Sequence, residues 1–390
     1  MANLLNNYNP QYWANQALML LTTRKGYASR IFRGYEEERS TFGRGDVINF
    51  RKPMQFTAKD IYSSGLVTGD AEELDTPKSS LTLDKHQATF FKVTDKDLTF
   101  AGDRIVTDHI APAVDALAQK MDMDIATEMA AKVPHVYDAS GLASGNCAAK
   151  LAELRKVMVE NLVPRDGKPL TYVSSPSTMA VLLSDPAFTQ YQGADGTGVA
   201  AQVSGLLGRK FGFDWFETTN TVSHVGPSAA VDAAGALVGA TPSSQLSISV
   251  DGMGSTEVYG AGKIISIAGD KYVLAADATM SGGAGTLVLK TGTRKAYAND
   301  AAVLILADAD GSFEQDIVFH PNAAALVVAP LPMHSSSLGA NVYTATDPAT
   351  GLSVRARMNY DNLSGEVNVI FDVLYGIAMI DEQLAVRVKL

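Results

Sequence analysis

Six histidines and one cysteine are the side chains in this sequence best suited to metal binding or nucleophilic catalysis. The histidines are spread along the whole chain, as His86, His109, His135, His224, His320 and His334. They never fall at a metal-ligand spacing such as His-Glu-x-x-His, so each is expected to be a structural residue rather than a ligand. Cys147 has no histidine or basic pattern nearby to activate its thiol, so we expect a small apolar filler and not a nucleophile.

Other catalytic patterns are also missing from the sequence. Residues 281–285 read SGGAG, but no Lys-Ser/Thr pair and no helix follow, so this glycine cluster predicts a turn rather than a phosphate loop. The Gly-x-Ser-x-Gly elbow of hydrolases does not occur. Asp122 and Asp124 are two residues apart on a predicted helix, where they do not share a face. The sequence therefore predicts no catalytic, cofactor-binding or metal-binding site.

Composition narrows the class of protein. At 390 residues, two or three domains are expected, and a hydrophobic content of 46% is ample for their cores. The net charge of −10 argues against a tight grip on a phosphate backbone, although not against enclosing nucleic acid loosely. A single cysteine excludes an intrachain disulfide. Neither a signal peptide nor an apolar run of about 18 residues is visible, so no membrane span is expected.

The N-terminal third predicts an arm followed by strands. Residues 2–33 are expected to form the arm, with a helix beginning at Pro10 and with apolar surface that would benefit from lying on a neighbour. Residues 46–56 alternate apolar and polar side chains, as a half-buried strand does. Residues 57–80 predict a long loop or extended hairpin, a length that is usually functional. Strand character returns over residues 81–98.

A long amphipathic helix is predicted over residues 102–133. Its apolar residues recur with a period near 3.6. At about 1.5 Å per residue, roughly 30 residues would span about 45 Å. Pro112 predicts a kink or a helix start near that point, and Pro134 ends the helix.

The middle of the chain predicts mixed α/β structure. Helices are expected over residues 146–161, 179–183 and 199–207, strands over 169–174 and 209–217, and a turn-rich loop over 191–198. The helix at 179–183 is expected to be capped by Ser175 or Ser177, with Pro176 near its first turn.

From residue 226 to 311 the chain is dense in Gly, Ala, Ser, Thr and Val. Short strands separated by turn signals predict a small β-barrel or sandwich. These strands are expected at residues 245–250, 262–268, 271–274, 286–290 and 303–306. The tail predicts a short helix at 322–326, a strand pair at 353–360 and 366–375, and a closing strand at 383–389.

These parts, in this order, resemble the major capsid (coat) protein of tailed double-stranded-DNA bacteriophages. More narrowly, they resemble the short-tailed-phage coat proteins that carry an inserted β-barrel domain. The resemblance is carried by the spine helix at residues 103–133, residues 170–215, the Gly-rich insert, residues 316–332 and the closing residues 369–390. It implies an α+β fold with an N-terminal arm (1–35), an extended loop (36–80), a peripheral domain with the spine helix (81–145), an axial domain (146–225), an inserted all-β barrel-like domain (226–316) and a return to the axial and peripheral domains with C-terminal strands (317–390).

The resemblance also implies a function and partners. Copies of the chain would assemble as hexamers and pentamers into an icosahedral shell that encloses double-stranded DNA loosely, without sequence-specific contact. The arm and the extended loop would reach over adjacent subunits. Scaffolding and portal proteins would take part in assembly, with the basic cluster Arg24, Lys25, Arg30 and Arg33 as one candidate docking surface. The chain would be a structural protein of the virion, assembled in the host cytoplasm, with no enzymatic activity and no membrane contact.

Two other function classes stay open at this point. A soluble ligand- or carbohydrate-binding module with a β-barrel insert would gather aromatic side chains on one loop face of the insert, whereas Tyr259, Tyr272, Tyr297 and Phe313 are scattered in sequence. An enzyme with a non-local active site would show a deep polar pocket with perturbed carboxylates. The sequence offers no candidate for such a pocket.

Overall fold

The computed structural model describes residues 10–24, 26–34, 47–51, 78–94, 109–161, 163–164, 167–189, 205, 207–225, 234–254, 258–306, 312–333, 341–347, 352–361 and 363–389. These residues form an α+β fold with many strands and few helices. No helix in these ranges is long and apolar enough to cross a membrane.

Five α-helices are present among the described residues. They are α1 (Pro10–Arg24), α2 (Ala111–Lys132), α3 (Cys147–Glu160), α4 (Pro176–Ser184) and α5 (Pro186–Thr189). Short 3-10 turns occur at Tyr27–Ser29, Pro321–Ala323 and Glu382–Leu384.

The strands, in chain order, are β1 (Val47–Arg51), β2 (Lys78–Thr82), β3 (Lys85–Thr94), β4 (His135–Asp138), β5 (Leu170–Ser174), β6 (Arg209–Lys210), β7 (Phe213–Glu217), β8 (Val222–Val225), β9 (Ala234–Leu237), β10 (Ser247–Asp251), β11 (Val258–Tyr259), β12 (Ile264–Ile267), β13 (Asp270–Val273), β14 (Ala278–Thr279), β15 (Gly285–Val288), β16 (Ala302–Ile305), β17 (Ser312–Phe319), β18 (Ala324–Ala329), β19 (Asn341–Thr346), β20 (Ser353–Asp361), β21 (Glu366–Met379) and β22 (Ala385–Lys389).

The chain divides into two compact units. The first contains residues 1–22, 33–113 and 325–381. Its five-stranded sheet has the order β18-β21-β20-β19, with β3 also paired to the long strand β21, and β1 pairs with β2 separately. The antiparallel register places Arg355 opposite Asp372, and Phe371 opposite both Ala356 and Thr89. The ring of Phe371 lies 6.2 Å from that of Phe91, so this face of β21 is packed as core.

The second unit contains residues 23–32, 114–324 and 382–390. A mixed seven-stranded sheet in the order β4-β22-β17-β5-β7-β6, with β8 on β17, forms its main layer. Strands β4 and β22 run parallel, as do β5 and β7. Tyr172 stacks on Trp215 with ring centroids 4.2 Å apart, and both are buried.

A second sheet in this unit is built entirely from residues 234–305. Its order is β13-β12-β16-β9-β10-β15, and every pairing is antiparallel. The two outer strands of that order also meet, because Leu274 forms a bridge with Leu289 and the amide of Lys290 donates to the carbonyl of Val273 at 2.8 Å. The inward residues of these strands form a separate hydrophobic core that includes Ile248, Ile265 and Leu287.

The segment that carries this sheet leaves and rejoins the main layer at one place. Val225 at the end of β8 is paired with Ser312 at the start of β17. The chain therefore leaves the main sheet at the end of β8 and returns to it at the start of β17, and these two strands are paired with each other. The pairing of the main sheet is not interrupted by the segment between them.

Several sequence expectations about elements are confirmed. The arm helix begins at Pro10, and Ser175 caps α4 by accepting a hydrogen bond from the amide of Thr178. The pair β20–β21 turns between Asp361 and Glu366, as expected. In the Gly-rich segment, β10, β12, β13, β15 and β16 lie where strands were predicted. The expected loops and helix at residues 57–77, 191–198 and most of 199–207 lie outside the described residues.

The long helix begins at Ala111, where Pro112 predicted a helix start, and ends at Lys132, before Pro134. Its 22 described residues span about 33 Å, and residues 102–108 lie outside the described part. Two expectations differ from the structure. The helix predicted at 322–326 is wrong beyond Ala323, because only a 3-10 turn at Pro321–Ala323 is present there. Residues Ala324–Ala329 form a strand whose six side chains are all buried, so burial in a sheet overrides alanine's helix propensity. The arm helix buries Trp13 and Leu21 within this chain.

A test of the packing in the first unit is Gly376→Ala. A Cβ at Gly376 would collide with the carbonyl oxygen of Thr82 and lie 2.8 Å from the side chain of Leu81. Overpacking of this kind costs about 1–3 kcal/mol, so equilibrium urea unfolding should show a lower midpoint. Gly260→Ala is the matched control, because its added Cβ would make an ordinary 3.7 Å contact with Asp277. Equal midpoints for the two variants would contradict this packing.

Candidate functional site

The histidines, which could in principle bind a metal or catalyse a reaction, contact other residues of the fold. His86 lies 3.1 Å from Asp372, and the Nε2 of His135 lies 2.7 Å from the side-chain oxygen of Gln383. The ring of His109 lies 6.0 Å from that of Phe91. Nδ1 of His320 accepts the amide of Asn322 and so caps a 3-10 turn. His334 lies outside the described residues. His86, His109, His135 and His320 each contact a different residue of the fold.

His224 lies in an environment that disfavours the protonated form of its ring. Its ring is tilted against that of Phe313, with centroids 4.8 Å apart, and burial together with nearby Arg387, Lys263 and Lys389 lowers its pKa to about 3. The imidazole is therefore neutral at physiological pH, as a core residue would be.

Cys147 lies at the start of α3 and is buried. Burial, followed by the neighbouring carboxylate of Asp185, raises the pKa of its thiol to about 12. Asp185 accepts hydrogen bonds from the amides of Gly145 and Cys147 at 2.9 and 3.2 Å. A thiol with so high a pKa is protonated at neutral pH and is a poor nucleophile.

Asp122 and Asp124 point to different surroundings, as their spacing on α2 predicts. Asp124 lies 2.7 Å from Lys120, one turn earlier on the helix. Asp122 is 5% exposed and accepts hydrogen bonds from the amides of Gly26 and Ala28 at 2.9 and 3.3 Å. Burial raises the pKa of Asp122 to about 6 despite these donors. Asp122 thus joins segments nearly a hundred residues apart.

The segment held by Asp122, residues 26–30, is called the clip below. Its Tyr27 stacks on Phe319 at 6.3 Å, and the guanidinium of Arg30 lies 4.1 Å from the ring centre of Phe216. A Cβ on Gly26 would approach Asp122 Oδ2 to 2.7 Å, so the clip requires glycine there. Arg30 belongs to the basic cluster expected to be a candidate docking surface, and its guanidinium packs against an aromatic ring of its own chain.

A second buried carboxylate, Asp316 on β17, collects donors from two elements. It accepts the amide of Ser175 at 2.8 Å, the hydroxyl of Thr178 at 2.7 Å and the hydroxyl of Tyr172 at 3.2 Å. Burial raises its pKa to about 6, against the lowering effect of these donors. The start of α4 is therefore fixed to the main sheet by one side chain.

In the first unit, Asp372 is fully buried between cations. Arg355 donates to both of its oxygens, at 3.0 and 2.6 Å, and Arg357 lies 3.0 Å away. His86 is the third neighbour, from the opposite strand β3. This cluster ties β3, β20 and β21 across their width.

Three cationic side chains connect the 234–305 sheet to the rest of the second unit. Lys271 pairs with Asp138 at 3.1 Å. Lys290 donates to the carbonyls of Ala131 and Lys132 at the end of α2, where a positive charge suits the helix dipole. Arg387, 1% exposed, donates to the carbonyl of Gly262. Burial lowers the pKa of Arg387 to about 10, which leaves it charged at neutral pH.

Among the described residues, no group of three His, Cys, Asp or Glu side chains is placed to hold a metal ion. One cavity of about 390 Å³ is lined by Asp122 together with Asp115, Glu217 and Asn220. Asp122 has a raised pKa, but its two oxygens face the amides of the clip, and none of the described residues that line the cavity is His, Lys or Cys. The geometry here fits a structural carboxylate better than an acid–base pair.

Several known structures similar to this chain come from bacteriophages, some of them capsids, and another is a virus-like particle from Pyrococcus furiosus. A structure of Mycobacterium phage Che8 is 15% identical, with 93% of this chain and 90% of that chain covered and a TM-score of 0.49. The capsid of cyanophage P-SCSP1u is 11% identical over 89% and 84% of the two chains, with a TM-score of 0.47. The mature capsid of bacteriophage PhiM1 is 12% identical over 88% and 81%, with a TM-score of 0.44. No protein-family model and no curated protein matches the chain.

The Asp372 cluster predicts a large effect of charge removal. In Asp372→Asn the buried Arg355 loses its counter-ion, and breaking a buried pair in this way costs about 3–5 kcal/mol. The loss should appear as a lower free energy of unfolding in urea titrations. Glu366→Gln is the control, since Glu366, also on β21, pairs with the exposed Lys92 of β3, and its loss should change little. Similar losses in both variants would refute the role given to the buried cluster.

The raised pKa of Asp316 predicts a pH dependence. The unfolded carboxyl ionises near 3.8 and the folded one near 6, so this group stabilises the fold fully at pH below 3.8. Its contribution, up to roughly 3 kcal/mol, is lost as pH rises to about 6. In Asp316→Asn, urea unfolding should show a smaller decline in stability between pH 4 and 6. A decline as steep as in the unaltered protein would contradict the assignment.

Proposed function

We propose that this chain is a major capsid protein of a tailed double-stranded-DNA bacteriophage, in the group whose subunits carry an inserted β-barrel domain. Many copies assemble as hexamers and pentamers into the icosahedral shell of the virion. The shell encloses DNA without gripping it tightly, in keeping with a net charge of −10. The chain acts as a structural protein and not as an enzyme.

The observation that carries this proposal is the excursion between Val225 and Ser312. The chain leaves a mixed α/β sheet, builds a separate all-β sheet with its own core, and returns on the strand beside its exit. The contact of Leu274 with Leu289 joins the outer strands of that sheet, which supports a closed barrel. A barrel inserted into an α/β body that follows a long helix is the arrangement that the sequence resemblance implies.

The buried charged side chains also support the role of a shell subunit. Asp122, Asp316 and Arg387 each tie together segments far apart in sequence. A shell subunit must hold its own shape while many neighbours act on it, and such ties serve that need. The proposed domains keep the bounds 1–35, 36–80, 81–145, 146–225, 226–316 and 317–390, with the arm and the extended loop reaching neighbouring subunits.

The carbohydrate-binding alternative is disfavoured by the positions of the insert's aromatic residues. Tyr259, Tyr272 and Tyr297 are at most 5% exposed and belong to the core of the 234–305 sheet. The hydroxyls of Tyr272 and Tyr297 lie 2.7 Å apart, and Tyr297 donates to Asp270. Buried rings that hydrogen-bond to one another leave no aromatic platform for a sugar.

Assembly partners are part of the proposal. Scaffolding and portal proteins take part in forming the shell in the host cytoplasm. The basic cluster Arg24, Lys25, Arg30 and Arg33 is one candidate docking surface for a scaffolding protein.

The test is negative-stain electron microscopy of the full chain, expressed alone and together with its neighbouring genes. We expect closed shells tens of nanometres across, or tubes and polyheads of the same lattice. A uniform monomer or dimer under all these conditions would exclude the capsid function.

A matched pair of variants sharpens the test. Asp122→Ala removes the acceptor of the clip, whereas Asp124→Ala removes a surface carboxylate two residues away on the same helix. We expect fewer closed shells from Asp122→Ala and unchanged shells from Asp124→Ala, with circular dichroism confirming that both variants fold. Equal shell yields from two folded variants would remove the clip from the assembly model.

A further inference from the structure

The clip, residues 26–30, is held in its own shape by contacts within the segment. The amide of Arg30 donates to the carbonyl of Tyr27 at 2.9 Å, and the hydroxyl of Ser29 donates to the carbonyl of Gly26 at 2.9 Å. The guanidinium of Arg30 donates to the same Gly26 carbonyl at 3.2 Å. Because these bonds lie inside the clip, the segment keeps them when it moves away from its neighbours as one unit.

The clip is docked on the second unit through contacts that centre on Asp122. The two oxygens of this carboxylate accept the amides of Gly26 at 2.9 Å and Ala28 at 3.3 Å. A Cβ on Gly26 would lie 2.7 Å from Asp122 and 2.8 Å from the ring of Phe216, so the clip fits closely against both. Docking thus removes the carboxylate from water, and Asp122 is 5% exposed.

A second buried carboxylate lies near the same segment. Burial, followed by the charges of Asp316 and Asp122, raises the pKa of Tyr27. Tyr27 therefore lies close to both carboxylates. The charged and titratable groups of this neighbourhood come from the clip, α2, β7 and β17, and among the described residues they are Arg30, Tyr27, Asp115, Asp122, Asp214, Glu217 and Asp316.

The geometry determines which charge state of Asp122 favours docking. When the clip moves away, the carboxylate is exposed to water beside the cavity of about 390 Å³ that it lines. Burial under the docked clip raises its pKa from 3.8 to about 6, and the backbone amides of the clip and the charge of Arg30 offset this only in part. The docked clip therefore binds a proton more tightly than the open clip does, and by linkage that proton favours docking.

We propose that the clip and Asp122 form a proton-sensitive latch, which uptake of a proton by Asp122 holds more firmly closed. The neutral carboxyl still accepts a hydrogen bond from the clip, and the 3.3 Å contact with Ala28 is the weaker of the two. The added stability of docking is complete below pH 3.8 and is lost as the pH rises through about 6. The latch is independent of the proposed shell function, since it is formed within a single chain.

The test is hydrogen–deuterium exchange of the full chain at pH 5 and pH 7.5, followed by mass spectrometry of peptides that contain the clip. Exchange rates are corrected for the intrinsic effect of pH on amide exchange. Asp122→Asn removes the titrating group, and Asp124→Asn is the matched control, because Asp124 pairs with Lys120 two residues away on the same helix. Asp316→Asn distinguishes the two buried carboxylates.

We expect the corrected protection of the clip amides to be about tenfold higher at pH 5 than at pH 7.5. This difference should disappear in Asp122→Asn, whatever the absolute protection of that variant, and should persist in Asp124→Asn and Asp316→Asn.

Arg30→Gln adds a readout that a purely structural carboxylate would not change. The charge of Arg30 lowers the pKa of Asp122, so its removal should move the midpoint of the pH dependence to higher pH. Equal protection at the two pH values in the unaltered protein, higher protection at pH 7.5, or a pH dependence that survives in Asp122→Asn would overturn the proposal.

Discussion

The buried carboxylates of this protein set the constraint on which its long-range architecture depends. A charge removed from water is tolerated only where several donors converge on it. Asp316 meets this condition with donors from Tyr172, Ser175 and Thr178, and Asp122 meets it with the amides of the clip. The donors stabilise the buried carboxylate, and the carboxylate in turn holds the segment that supplies the donors in one position. Each such carboxylate therefore fixes a partner segment that hydrophobic packing alone would position less specifically.

Buried polar contacts also explain how the 234–305 sheet can have a hydrophobic core of its own and still be fixed to the rest of the second unit. Its core is its own, and its ends meet at the β8–β17 pair, so it folds over local contacts. Its attachment relies on polar ties, among them Lys271 with Asp138 and Arg387 with the carbonyl of Gly262. Beneath these ties lies a small apolar cluster that includes Val136, Ile264 and Phe313. Directional ties around a modest apolar contact fix orientation, whereas the energy of folding comes mainly from the sheet's own interior.

The fold class, the order of elements and most strands of the insert could be predicted from periodicity and turn residues. Strand β9, with the sequence Ala-Gly-Ala-Leu, was missed because small residues give neither a helical nor an alternating signal. The error at 322–326 has the opposite cause, since an alanine-rich run has helix propensity that sheet burial overrides. The clip could not be predicted from the sequence, because it depends on Gly26 and Asp122, which only the fold brings together.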